Sequence, residues 1–288
     1  MIFPILPCSL DAVICPRMLC SNMTRLFVHA LRVLAKRPVD LILAAVLVAA
    51  APGSLPLLAA NSVGAVSLDD DPHLVGWWKF DEATGKTATD SSKRAHQGTL
   101  EGVLSFDTNS VPGRVGKALK FVGNDDGVRI TGYKGITGTQ ARSVAVWIKT
   151  AASSGDLVSW GTDEHGQMWT FGHVRGRVGV TPKGGYLYMK AGTHDDAWHH
   201  VAVTVEAAAP PNLHDHVKLY RDGEVAEIDD IGLLDLWPIE TGDSLDVSIG
   251  RGFKGILDDL RLYDRALSED ETRALFRLQS DRPLTQSK

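Results

Sequence analysis

Several short stretches set chemically capable side chains at strand or turn spacing. Glu227 and Asp229 flank Ile228, so on an extended strand both carboxylates leave from one face. Facing carboxylates are what glycoside hydrolysis uses. His214 and His216 flank Asp215 in the same way, a spacing that lets two imidazoles on one strand face share a zinc ion. His194, His199 and His200 gather around Trp198. Oxygen-rich groups collect at Asp81, at Asn124-Asp125-Asp126 and at Asp258-Asp259. Hard cations take such oxygens, and turns take the same residue types because Asp and Asn tolerate turn geometry. The aromatic residues expected to meet a ligand are Trp169, Tyr186, Tyr188 and Trp237. Tyr186 and Tyr188 share a strand face, and Trp237 lies in a Leu236-Trp237-Pro238 loop, where exposure and specificity are expected. Trp147 and Trp198 alternate in phase with apolar neighbours and read as interior. The chain carries no Ser/His/Asp order, phosphate loop, dinucleotide fingerprint or run of basic residues.

The elements that must position these groups are strands. From Leu74 onward, short alternating or β-branched runs are separated by Gly, Asp and Asn turns: 74–80, 118–123, 127–131, 143–150, 156–161, 168–174, 177–182, 185–190, 199–206, 216–223, 224–228, 245–250 and 255–264. That spacing is the mark of an all-β sandwich or barrel. Val144, Val146 and Ile148 take one face and Ala145, Trp147 and Lys149 the other, as antiparallel sheets with one wall in a core require. The same alternation along 255–264 turns one of Asp258 and Asp259 outward. Asp222-Gly223 is the strongest hairpin signal. Only the C-terminus reads as helix: Ser268-Glu269-Asp270-Glu271 forms a capping box ahead of an apolar stripe of Ala274, Leu275 and Leu278. Residues 281–288 read as a frayed tail.

The chain has 288 residues and a net charge of −5, but residues 1–65 hold five basic and two acidic side chains, leaving −8 for the rest. A body so acidic repels phosphate backbones and argues against nucleic acid as partner. All three cysteines, Cys8, Cys15 and Cys20, precede residue 21, so the body has neither a disulfide framework nor a thiolate zinc site. Leu41–Ala51 is an apolar run behind Arg32, Lys36 and Arg37, broken by Pro52-Gly53 and followed by alanines. This describes a secretory signal peptide, with an uncleaved anchor as the alternative. Only in that second case does a membrane enter. A start at Met23 gives the signal a more usual length than Met1 does. The domain plan is an N-terminal extension and signal or anchor over 1–65, a single domain over 72–280, and the tail.

Seven segments, in order, resemble the laminin-G-like jelly-roll domains of the concanavalin A-like lectin/glucanase superfamily. They are GWWKFDE (76–82), DSS…HQGTLEG (90–102), GRVGKALKFVGNDDGVRI (113–130), SVAVWIKT (143–150), WHHVAVTV (198–205), LYRDGE (219–224) and GILDDLRLYDRALSEDE (255–271). The resemblance implies an all-β fold, a two-sheet antiparallel jelly-roll sandwich with adjacent first and last strands and a short C-terminal helix. It implies a secreted or cell-envelope binding module for a glycan or an extracellular protein. It also implies a structural calcium ion on Asp81 and Asp258, with carbonyls from Gly123 or Asn124. Glu227-Ile-Asp229-Asp-Ile resembles the E-x-D-x-x-E strand of laminarinase-type glucanases, but Ile231 or Gly232 stands where the third acid belongs, so no group is left to protonate a leaving oxygen. The expectation is therefore a non-catalytic carbohydrate-binding or adhesive module. A glycan hydrolase or a structural cell-envelope protein is the alternative.

Overall fold

Val144, Val146 and Ile148 are buried in one hydrophobic core, while Ala145 belongs to a second cluster on the other side of the same strand, where Trp147 is also buried. The computed structural model describes residues 67–123, 125–174, 176–229 and 237–280. The chain divides into two units, Met1–Asn61 and Ser62–Lys288, and all the described residues lie in the second. The expectations of a signal or anchor over 1–65 and of a frayed tail over 281–288 lie outside the described residues.

In chain order the elements are β1 (Leu74–Trp78), β2 (Thr87–Ala88), β3 (Gly98–Glu101), α1 (Phe106–Asn109), β4 (Ser110–Pro112), β5 (Lys117–Val122), β6 (Gly127–Ile130), β7 (Arg142–Lys149), β8 (Asp156–Gly161) and β9 (Met168–Val174). They continue with β10 (Arg177–Thr181), β11 (Leu187–Tyr188), β12 (Trp198–Val205), α2 (Leu213–His216), β13 (Val217–Arg221), β14 (Glu224–Val225), β15 (Leu245–Ile249), β16 (Lys254–Tyr263) and α3 (Glu269–Ser280). One antiparallel sheet runs β14-β13-β12-β7-β16-β5-β4, with β1 also on β16. The other runs β11-β10-β9-β8-β15-β6-β3-β2. The fold is thus the all-β, two-sheet jelly-roll sandwich with a short C-terminal helix, and the first strand does lie beside the last. Strands β2, β3 and β4 escape the periodicity because they are two to four residues long and rich in Thr, Ser and Gly. The expected strand 185–190 shrinks to Leu187–Tyr188, because the turn ahead of it is held by Thr181 Oγ1 donating to the Gly185 carbonyl at 2.6 Å.

The Asp222-Gly223 turn joins β13 to β14 with both φ values positive, 53° and 82°, the primed geometry that matches strand twist. The capping box forms: the Ser268 N–H donates to Glu271 Oε2 at 2.8 Å and the Glu271 N–H to Ser268 Oγ at 3.2 Å. Arg265 anchors that helix start to the beginning of the domain, bonding both Glu271 and Asp71. Leu278, expected in the apolar stripe, is 56% exposed. Leu275 is buried and Ala274 packs beside it, as the stripe predicts, and Phe276 lies on Trp147 with ring centroids 5.6 Å apart. Helix α3 therefore lies over the outer face of the first sheet and buries the alternate residues that simple alternation would have left wet.

Candidate functional site

Strand β16 is ten residues long, and its partners along one edge change midway. Its first half, Lys254–Leu257, pairs with β5, and its second half, Leu260–Tyr263, pairs with β1. The ends of β1 and β5 meet beside Asp258 and Asp259, where neither strand pairs. On the other edge the register with β7 slips between Asp258 and Arg261, and Asp259 takes φ +51°. This is a bulge, and it cancels the alternation expected there. Asp258 and Asp259 are both buried, at 0% and 4% exposure, which corrects the expectation that one of them faces outward.

The two carboxylates have different partners. Asp259 accepts from Trp77 Nε1 and from Arg261 Nε, and Arg261 also reaches Asp69 Oδ1 at 2.6 Å. The Arg261 guanidinium stacks 4.1 Å from the Trp77 ring centre. Asp259 is thus a structural anion in a closed cluster. Asp258 faces the hairpin turn Gly113-Arg114-Val115-Gly116 between β4 and β5. Its Oδ2 accepts the Val115 N–H at 2.8 Å, while its buried Oδ1 has no hydrogen-bond partner among the described residues. Burial, with Asp259 and Asp81 nearby, pushes the Asp258 carboxyl up to about 8, against the pull of the Val115 and Arg114 amides. Asp81, three residues beyond β1, accepts the Lys117 N–H at the far end of the same turn at 2.8 Å. The turn fits these oxygens closely. A Cβ on Gly113 would stand 2.5 Å from Asp258 Oδ2, and one on Gly116 would stand 2.3 Å from Asp81 Oδ1. The structure therefore brings Asp81 and Asp258 to one turn.

Gly123 does not join them. It follows the opposite end of β5, beside Lys254, and its carbonyl accepts the Asp126 N–H at 3.3 Å. Asn124 lies outside the described residues. Asp126 is buried and bonds the backbone of Val103 and Val122, so the third acidic point is a turn anchor. The Gly113–Gly116 turn, and not Gly123, stands beside the two carboxylates, and it meets Asp258 with the Val115 N–H. Its signal was present in GRVGK, two glycines astride a strand entry, but which carboxylates it faces depends on β1 and β5 sharing an edge. Among the described residues no three His, Cys, Asp or Glu side chains stand close enough to hold a metal by themselves. A cation at Asp81 and Asp258 would need carbonyl and water oxygens as well. A buried carboxylate with one unpartnered oxygen beside a second carboxylate suits a hard cation.

The expected ligand aromatics separate. Trp169 is wholly buried, 5.9 Å from Trp160 and roofed by Arg142, so it belongs to the core and is closed to a ligand. The alternation that puts it on a face puts it on the inner one. Tyr188 is buried, and Tyr186, half-buried, stacks on it at 5.6 Å. Trp237 is 46% exposed. Its ring stands 5.3 Å from His165, over the bare backbone of Gly184, where a Cβ would come within 2.4 Å of the indole. Loops 162–167 and 182–186 meet there, tied by the Gly166 N–H to the Lys183 carbonyl and by Lys183 Nζ to Asp163 at 2.8 Å.

The remaining candidates are occupied by structure. Glu227 pairs with Lys190 at 2.6 Å, and Asp229 pairs with Arg177. Ile228 between them bridges Met189, so this segment edges the second sheet. His214 and His216 sit in the four-residue helix α2, where positions two apart diverge, so the shared strand face is not formed. His199 lies between Asp222 and Asp195, and His200 is buried against Trp147.

A family model described as the concanavalin A-like lectin/glucanases superfamily matches residues 122–273. Among solved structures, domain 4 of AbnA is similar. It belongs to a GH43 extracellular arabinanase from Geobacillus stearothermophilus and was solved with arabinotriose. The TM-score is 0.52 at 18% identity, over 70% of this chain and 97% of that domain. The binding domain of botulinum neurotoxin serotype G gives 0.47 at 12% identity, over 72% of this chain and about half, 51%, of its own. Trypanosoma rangeli sialidase gives 0.47 at 17% identity, over 79% of this chain and about a third, 36%, of its own. At such identities the likeness is one of fold. No curated protein matches the chain.

Proposed function

Because the chain belongs to the concanavalin A-like lectin/glucanases superfamily, we propose that residues 72–280 form a non-catalytic extracellular binding module whose ligand is a carbohydrate. The observation that carries this reading is Trp237, a large, half-exposed indole held on His165 and Gly184 at the junction of two tied loops. A fixed aromatic face at the rim of a rigid scaffold is suited to stacking on a sugar ring. Tyr186 follows Gly184 in the same loop and stacks on Tyr188. The arabinanase domain that shares the fold was solved with an oligosaccharide, which supports a sugar over a protein ligand. Against catalysis stands the want of a third acid beside Glu227 and Asp229, which pair with Lys190 and Arg177 at the surface.

The module takes a structural calcium ion at Asp81 and Asp258, with carbonyl oxygens of the 113–116 turn completing the shell in place of Gly123. There the ion neutralises a buried carboxylate and joins the end of β1 to the start of β5. The N-terminal extension acts as the export signal, which a mass of the mature N-terminus tests.

A glycan array read with the wild type and with Trp237→Ala tests the main claim. Binding lost in the variant supports it. No binding to any glycan shifts the ligand to a protein, and reducing-sugar release that disappears in Glu227→Gln would make the protein a hydrolase.

A further inference from the structure

Three lysines far apart in sequence stand together on the outer face of the first sheet. Ile256 of β16 pairs with Lys120 of β5 on one side and with Lys149 of β7 on the other. Directly paired residues share a face, so the backbone positions of the two lysines flank one isoleucine across about 10 Å, two strand spacings. Lys254, two residues before Ile256, lies on the same face opposite Val122. The row continues to Trp198 of β12, which pairs with Lys149 and is half-buried. The three lysines, Val122 and Ile256 line a groove of about 660 Å³ that also includes Ala151, Ala152 and Asp196, with Trp198 outside it.

The electrostatics of this groove run against the rest of the molecule. Residues 66–288 carry a net charge of −8, and many surface cations outside the groove are paired with carboxylates. Lys120, Lys149 and Lys254 have no carboxylate within ion-pair distance among the described residues, although Asp196 lines the same groove. Like charges placed together on neighbouring strands destabilise a sheet. Between the lysines the lining is apolar at Ile256, Ala151 and Ala152.

We propose that this groove binds a saccharide carrying carboxylate groups, a uronic-acid oligomer, at a site separate from the Trp237 rim. The floor is aliphatic and the rim cationic, which suits a ligand with an apolar C–H face and an anionic edge. A uronate ring has both. Nucleic acid fits worse, because the acidic remainder of the surface repels a densely charged phosphate chain. The proposal shares with the preceding reading only that the ligand is a sugar, and its site is different.

The test uses the full chain and three probes at low and at physiological salt: tetramers of galacturonate, the same tetramers with carboxyls reduced to alcohols, and polyphosphate of matched charge. Binding is followed by calorimetry. The expected result is that galacturonate binds, that the reduced tetramer binds at least about tenfold more weakly, and that polyphosphate is no tighter than galacturonate at physiological salt. Lys149→Ala and Lys120→Ala each weaken galacturonate binding several-fold and Lys149→Glu abolishes it, with thermal melting unchanged, while Trp237→Ala leaves it intact. Loss of galacturonate binding in Trp237→Ala, equal binding of the reduced tetramer, or preference for polyphosphate overturns the proposal. A neutral glycan that binds through Trp237 while galacturonate binds nowhere refutes this site and leaves the preceding reading standing.

Discussion

Asp81 and Asp258 grip the same hairpin turn from opposite ends, Asp81 through the Lys117 amide and Asp258 through the Val115 amide. Asp81 lies three residues beyond the first strand and Asp258 within the last, so this turn is where the two ends of the fold are joined. The fit is close enough to leave Gly113 and Gly116 no room for side chains.

Gly113→Ala is expected to destabilise the domain by about 2 kcal/mol, because its methyl group meets both Asp258 and the Lys117 carbonyl and the backbone must shift. Gly116→Ala should cost more, since that residue also has φ +69°. Urea unfolding of the two variants beside the wild type measures both, and an unchanged midpoint for Gly113→Ala would contradict the tight fit.

Calcium is expected to raise the melting temperature of the wild type and a chelator to reverse it. At a concentration a hundredfold above Kd the gain is about 2.7 kcal/mol. Asp258→Asn keeps the shape and removes the charge, so its melting temperature should not respond to calcium. A wild type equally indifferent to calcium and chelator removes the ion from the proposal.

Acid should weaken the fold in a window set partly by His200. Burial against Trp147 and Phe276, with Arg261 adding repulsion, lowers its imidazole to about 3 from the ordinary 6.5. Between those values the unfolded chain binds a proton that the folded chain does not. Its contribution is complete above about 6.5 and falls by about 1.4 kcal/mol per pH unit below it. His200→Phe should flatten the stability profile between pH 6.5 and 4.5 in denaturant titrations. A residual slope is expected from His173, which burial lowers to about 4.

Arg142 is buried without a carboxylate partner among the described residues. It donates to the carbonyls of Ile136, Gly138 and Gln140 and to Thr241 Oγ1, holding the loop before β7 against the end of the second sheet. Arg142→Met is expected to cost about 3 kcal/mol, because those buried carbonyls lose their donor. Arg142→Lys should recover little of it, since a single ammonium cannot replace a planar fork. The urea midpoint should fall with the m-value unchanged.

Trp237→Ala is expected to abolish carbohydrate binding at the rim while shifting stability by no more than about 0.5 kcal/mol, as for an exposed side chain. A large loss of melting temperature would instead make Trp237 a structural residue.

The sequence by itself determined the local terms. Alternation placed most of the long strands, Asp222-Gly223 placed its hairpin, and Ser268 with Glu271 placed the start of the helix, because each depends on neighbours within a few residues. The family resemblance in the sequence also pointed to Asp81, just beyond the first strand, and Asp258, in the last, which adjacent end strands bring close. Tertiary structure decided the rest. Strand spacing cannot reveal a bulge that turns both Asp258 and Asp259 inward, nor that β1 and β5 share one edge of β16 and so bring the 113–116 turn to the carboxylates while Gly123 stays at the far end. It cannot say which face of a two-faced strand is interior, which is why Trp169 proves to be core, whereas the exposure of Trp237 followed from its place in a loop. Nor can it gather Lys120, Lys149 and Lys254, whose proximity exists only once three strands are in register. Periodicity is a property of one segment, whereas register and edge sharing are relations between segments, and every candidate site in this protein is built from those relations.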